Sequence, residues 1–190
     1  MAYLTSNELK ELNFKYLGNN VQISEKASIY NPELISIGNN SRVDDFCLLS
    51  GNIQIGANCH ITPMCLVAGG EPGIIIGDFV ALAYGVKVFS QSDDYSGLTM
   101  TNSTVPKKYK NEKKEKVIIE DHVIIGANSV IFPGVNVLVG TSVGACSLLI
   151  KSTDEWSIYI GNPAEKLKLR SKKILELEKQ FKENKHNDSI

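Results

Sequence analysis

An aliphatic residue recurs at every sixth position through most of this 190-residue chain. Ile119, Ile125, Ile131, Val137, Val143 and Leu149 keep the step. The residue four places after each is small or β-branched: Val123, Ser129, Val135, Thr141, Ser147 and Thr153. The same rhythm runs through Leu17, Ile23 and Ile29, through Ile37, Val43 and Leu49, through Ile55, Ile61 and Val67, and through Ile76, Leu82 and Val88. A sandwich of alternating strands would show a period of two, and a doubly wound sheet would show helical stretches; neither holds a phase of six. Each sextet predicts one short strand and one corner, and three sextets make a coil. Coils stack about 4.8 Å apart through strand hydrogen bonds. The expected fold is therefore an all-β solenoid of about six coils, a three-sided column roughly 29 Å long. Its corners call for residues that tolerate a left-handed backbone, as in Gly38-Asn39-Asn40, Gly56-Ala57-Asn58 and Gly126-Ala127-Asn128.

The rhythm explains three of the four cysteines. Cys47, Cys59 and Cys65 occupy the small inward slot and read as compact apolar residues, neither bridges nor metal ligands. No C-x-x-C pair occurs, and with three histidines in the whole chain no metal site is expected. The interruptions point to function. Two extra residues separate Ile29 from Ile37, three separate Val67 from Ile76, and twenty-five separate Val88 from Ile119. Each follows the third sextet of a coil, so all three leave the column at one vertical edge, and solenoids carry functional insertions on one face. The chain thus divides into residues 1–16, 17–160 with a long loop at 90–116, and 161–190. Thr5-Ser6-Asn7-Glu8 forms a capping-box pattern opening a short helix to about Phe14. Leu167, Ile174, Leu177 and Phe181 predict an amphipathic C-terminal helix to about Lys185, with His186 to Ile190 as a fraying tail.

Twenty Lys and Arg balance 21 Asp and Glu, which gives no global attraction to nucleic acid or an anionic membrane. No apolar run is long enough to span a bilayer. Glu8, Lys10, Glu11 and Lys15 interrupt the N-terminal stretch, so it is not read as a signal peptide, and the cytoplasm is the expected compartment.

The sextets, the stretch Ile125-Gly126-Ala127-Asn128-Ser129-Val130-Ile131 with Pro133-Gly134-Val135, and the closing phrase Gly161-Asn162-Pro163-Ala164 resemble the hexapeptide-repeat acyltransferases. That resemblance covers Leu17 to about Lys168. It implies a left-handed parallel β-helix, a homotrimer, and acyl-CoA bound in grooves between neighbouring columns. Ser92-Asp93-Asp94-Tyr95-Ser96-Gly97-Leu98, Val105-Pro106-Lys107-Lys108-Tyr109-Lys110 and Val43-Asp44-Asp45-Phe46-Cys47 resemble more narrowly the members that acylate a nucleotide-linked 4-amino-4,6-dideoxyglucose for surface polysaccharide synthesis.

Acyl transfer from a thioester needs a nucleophile, a proton acceptor and correct placement. The long loop contains no His, which departs from relatives that acylate hydroxyls with a loop His as base. An amine is partly neutral near pH 7 and needs only orientation and an acceptor for its proton, which a carboxylate supplies. Asp94 is the leading catalytic candidate, with Asp93 and Tyr95 as substrate contacts; repulsion within the Asp93–Asp94 pair is expected to raise one carboxyl pKa. Glu120, where the loop returns, is expected to approach Asp94. His60 projects outward in a column with Gln22, Arg42, Ala81 and Ile124 and is the alternative base; His122 reads as solvated turn chemistry. For coenzyme A, Ala127 and Ala145 share a slot one coil apart, and the resemblance implies that small residues there hold the pantetheine arm. It likewise places Lys151 near the nucleotide end and Pro163 against the adenine. The lysine run from Lys107 to Lys116 is solvated surface that also steers anionic substrates. The rival enzyme reading is O-acetyl transfer to a sugar hydroxyl with His60 as base; the non-enzyme reading is a scaffolding solenoid.

Overall fold

A computed structural model describes residues 2–187. The sextets form the three faces of a parallel β-solenoid. The first face stacks Leu17, Ile37, Ile55, Ile76, Ile119 and Val137 in register. The second stacks Ile23, Val43, Ile61, Leu82, Ile125, Val143 and Tyr159, which starts a further turn beyond six coils. The third stacks Ile29, Leu49, Val67, Val88, Ile131 and Leu149. The aliphatic column fills the interior, and the slot four residues on is buried as well, from Ser41 and Cys47 to Ser147 and Thr153. Cys47, Cys59 and Cys65 are buried free thiols, and burial pushes Cys59 up to about 11, far from a reactive thiolate.

The corner between the first and second faces shows why side chains tolerate such bends. Asn20, Asn40, Asn58, Phe79 and His122 all take φ between 56° and 59° there. One position earlier, a side-chain oxygen caps the coil before it: Asn39 accepts the Asn19 N–H, Asp78 the Ala57 N–H and Asp121 the Asp78 N–H, each at 2.7 Å. Glycines at the corners are demanded by the close stacking of coils. A Cβ on Gly38 would lie 2.6 Å from the carbonyl carbon of Gly56, and one on Gly126 would lie 2.4 Å from the amide nitrogen of Ala145.

Helix α1 (Ser6–Glu11) starts with the expected capping box, Thr5 with Glu8, and ends at Leu12, short of Phe14. At the other end the structure departs from the sequence reading. Leu167 lies on no helix: Glu165–Leu169 folds back antiparallel on Ser157–Ile160 and closes the end of the column. Arg170 then donates to the carbonyl oxygens of His122 and Gly140 at 2.8 and 2.9 Å, pinning the chain before α2 (Ile174–Asn187). The expected fraying of residues 188–190 lies outside the described residues.

Helix α2 docks on the corner that carries His122, which corrects the view of that residue as solvated. The imidazole stacks on Phe79 at 5.2 Å, and its Nε2 lies 2.9 Å from a Glu178 carboxylate oxygen. Asn58, Phe79, His122, Ile174, Leu177 and Phe181 line the seam. Hydrogen bonds from Lys182 and then His122 hold the Glu178 carboxyl below its ordinary range. A depressed folded-state pKa contributes stability that is present above the ordinary Glu value and lost as pH falls through the folded one. The expected result is that α2 becomes more susceptible to limited proteolysis as pH drops below about 4.5, and that Glu178→Gln flattens this dependence.

Candidate active site

All three insertions leave the column at the edge between the third and first faces. The long one starts after Phe89 and Ser90, where Ser90 Oγ hydrogen-bonds the Gly69 carbonyl of the coil above. Gln91–Ser92 pairs antiparallel with Lys113–Lys114, so the insertion stands out as a tongue with a two-stranded root. Lys114 ties that root to the shorter insertion above through Glu71 at 3.1 Å. Two clefts flank it. One, about 250 Å³, is lined by Phe89, Gln91, Ser92, Asp93, Tyr95, Phe132 and Pro133. The other, about 220 Å³, is bounded by Gln91, Ser92, Asp93, Ser103 and Glu112. Asp93 borders both.

Asp94 lies one residue further out. Its carboxylate accepts hydrogen bonds from the Ser96 amide at 2.8 Å, the Ser96 hydroxyl at 2.9 Å and the Thr99 hydroxyl at 2.8 Å. These donors, Ser96 first, hold its pKa below the usual Asp value. The expectation that repulsion from Asp93 raises a carboxyl pKa is therefore not met at Asp94, where donors within the tongue lower it. Tyr95 beside it is 86% exposed, a ring with room to meet a ligand or another chain.

Glu120 does not turn toward the tongue as expected. Its carboxylate accepts the Val139 N–H at 2.8 Å and so fastens one coil to the next. His60 does project from the second face in register with Arg42 and Ala81. In a three-sided column the tongue's edge lies opposite that face, so one chain does not bring His60 and Asp94 together. Unforeseen in the sequence was the company His60 keeps: its Nε2 lies 2.7 Å from Asp44 Oδ2, and Arg42 is in contact with both. The outward column of Arg42 and His60 was visible in the hexad register; Asp44, two residues beyond Arg42, was the overlooked signal.

Ala127 and Ala145 lie one above the other at the corner between the second and third faces, linked by a Cys146 N–H to Ala127 carbonyl bond of 2.8 Å. Gly126 and Gly144 pack closely against the next coil, while Ala127 is half-buried and Ala145 exposed. Lys151 is exposed and has no hydrogen-bond or ion-pair partner among the described residues. Pro163 is exposed after a cis peptide bond. The lysine run is partly neutralised on site, with Lys110 on Glu112, Lys113 on Glu115 and Lys114 on Glu71. Among the described residues no His, Cys, Asp and Glu gather into a metal-binding group.

A sextet solenoid carrying one long tongue beside clefts and an anionic side chain is the architecture of the hexapeptide-repeat acyltransferases. No family model matches the chain. It is 40% identical over the full length of both chains to the dTDP-4-amino-4,6-dideoxy-D-glucose acyltransferase of Escherichia coli. It also superposes on AntD, an N-acyltransferase from Bacillus cereus. The complex of AntD with dTDP and 3-hydroxybutyryl-CoA matches with a TM-score of 0.96 and 47% identity over 97% of this chain and 98% of that one. A variant of AntD bound to dTDP-4-amino-4,6-dideoxyglucose and coenzyme A matches with a TM-score of 0.95 and 48% identity over 96% and 98%. The chain belongs to the dTDP-4-amino-4,6-dideoxyglucose acyltransferase family and is an acyltransferase.

Proposed function

We propose that the protein transfers an acyl group from acyl-CoA to the 4-amine of dTDP-4-amino-4,6-dideoxyglucose. The observation that carries this reading is near-half identity along the whole chain with an N-acyltransferase bound to that sugar nucleotide and to coenzyme A. The lone pair of the amine attacks the thioester carbonyl carbon, the C–N bond forms, the C–S bond breaks, and the coenzyme A thiolate leaves. Nitrogen loses one proton in the process. Asp94 is the acceptor: it is ionised at neutral pH and is held in place by Ser96 and Thr99. Asp93 and Tyr95 contact the sugar nucleotide from the tongue's root. Ala127 and Ala145 flank the pantetheine arm, Lys151 meets a phosphate as a point charge, and Pro163 flanks the adenine. An aspartate of AntD has been replaced by alanine and by asparagine in structures that still hold dTDP and coenzyme A.

The working form is a homotrimer with its sites between neighbouring columns. Exposed Phe46, Met64 and Tyr84, at 59%, 63% and 62%, run down one corner as a ridge suited to burial against another copy. Among the described residues no helix is long and apolar enough to cross a membrane. The reaction belongs to the cytoplasm and to the assembly of a surface polysaccharide. The test is mass spectrometry of products from a panel of sugar nucleotides and acyl-CoA donors. Mass gain confined to the 4-amino sugar is the expected result. Acylation of the 4-hydroxy analogue at a comparable rate would establish the hydroxyl reading instead.

A further inference from the structure

Cys47 and Cys65 occupy the same inward slot of neighbouring coils. Leu48 pairs with Leu66 on the third face, and the Leu48 N–H donates to the Cys65 carbonyl at 2.9 Å, so the residues just before them, Cys47 and Cys65, stack one above the other. Both are free thiols, each 1% exposed. Cys47 Sγ lies 3.0 Å from the Thr62 carbonyl oxygen, and Cys65 Sγ lies 3.2 Å from that of Ala83. Coils about 4.8 Å apart put the two Cα atoms inside the window of roughly 4.4–6.8 Å that a disulfide needs. Cys59 lacks such a neighbour: its slot holds Ser41 in the coil above and Val80 in the coil below.

The two thiols also act on each other. A hydrogen bond between their side chains raises Cys47 and holds Cys65 below the ordinary thiol value, which makes Cys65 the better nucleophile. Access comes from the backbone. The residue before each cysteine is bulky, exposed and left-handed: Phe46 at φ 61° and Met64 at φ 66°. That conformation is unfavourable for side chains of this size. These two corners therefore open more readily than their Asn and Gly counterparts, and one local opening bares both thiols.

We propose that Cys47 and Cys65 form a redox-sensitive staple between neighbouring coils, closed to a disulfide by a peroxide and reopened by a dithiol. The Cys65 sulfur attacks one peroxide oxygen, the O–O bond breaks, and the first water leaves, with Cys65 as the sulfenic acid. The Cys47 sulfur then attacks Cys65, the S–S bond forms and the second water leaves. The two thiols give up two electrons and two protons, and hydrogen peroxide takes both. The bridge spans one coil of chain and locks the two strained corners together, so the closed form unfolds less readily.

The test uses the full chain with Cys146→Ser, which removes the exposed thiol and with it bridges between molecules. The folded protein is treated with hydrogen peroxide, then denatured and alkylated. Alkylated thiols are expected to fall from three to one, with a mass loss of about 2 Da and a Cys47–Cys65 cross-linked peptide. Dithiothreitol restores all three. The unfolding midpoint of the bridged form is expected to rise by about 5 °C. Adding Cys65→Ser abolishes the bridge, and adding Cys59→Ser leaves it intact; serine already fills this slot at Ser129 and Ser147, so the Cys65 variant keeps the packing. Three alkylated thiols after peroxide overturn the proposal. So does a bridge that uses Cys59, a bridge that survives Cys65→Ser, or a bridged form that unfolds at a lower temperature than the reduced one.

Discussion

Asp94→Asn is expected to lower kcat by more than tenfold, toward the hundredfold typical of losing a general base, while the coils remain intact. The amide still accepts the Ser96 N–H through its oxygen, and the Ser96 and Thr99 hydroxyls that now donate to Asp94 can rotate to accept from the new NH₂ group. The turn of the tongue therefore survives, and what disappears is the capacity to take a proton. The loss should fall on kcat, with coenzyme A affinity unchanged, because Asp94 lies on the tongue and not along the Ala127–Ala145 corner. The pH profile supplies a second readout. Donors from Ser96 and Thr99 keep the wild-type Asp94 carboxyl below its ordinary value, so it is ionised throughout the neutral range. Any rising limb of kcat/KM nearer neutrality belongs to the substrate amine and should persist in the variant. Near-normal turnover of Asp94→Asn would remove Asp94 from this role.

The hexad rhythm made the solenoid legible because every inward position is constrained at once by burial and by register. A column such as Ile37, Ile55 and Ile76 tolerates no polar member. The shared edge of the three insertions followed from counting alone. Contacts that join distant sextets were harder to see. Glu120 looked like a tongue residue by sequence proximity, but a corner carboxylate one coil from an unsatisfied amide is better placed to cap it, as Asp78 and Asp121 also do. His122 looked solvated because its partners come from α2, 56 residues on in the case of Glu178. Leu167 was drawn into the helical pattern although Glu165-Lys166-Leu167-Lys168-Leu169 alternates with the period of a strand. At Asp94 the like-charge argument failed because it counted the neighbouring carboxylate and ignored three hydroxyl and amide donors supplied by the tongue's own turn.

Two impaired variants should restore each other's activity when their subunits are mixed. In a three-sided column the edge bearing the tongue is distinct from the corner bearing Ala127 and Ala145, so a site lying between neighbouring columns draws them from different chains. A chain carrying Ala145→Trp, which fills that corner, still presents an intact tongue. A chain carrying Asp94→Asn still presents an intact corner. In an oligomer assembled at random from equal amounts of the two, about one interface in four pairs the intact corner of one chain with the intact tongue of the next. Activity measured at an acyl-CoA concentration well below the corner variant's KM should therefore climb from a few per cent to about a quarter of wild type. Mixing the separately purified oligomers without dissociating them should give no gain. If Ala145 and Asp94 acted within one chain, every site in the hybrid would lack one of them. A co-expressed mixture no more active than its parents would thus show that the tongue serves its own column.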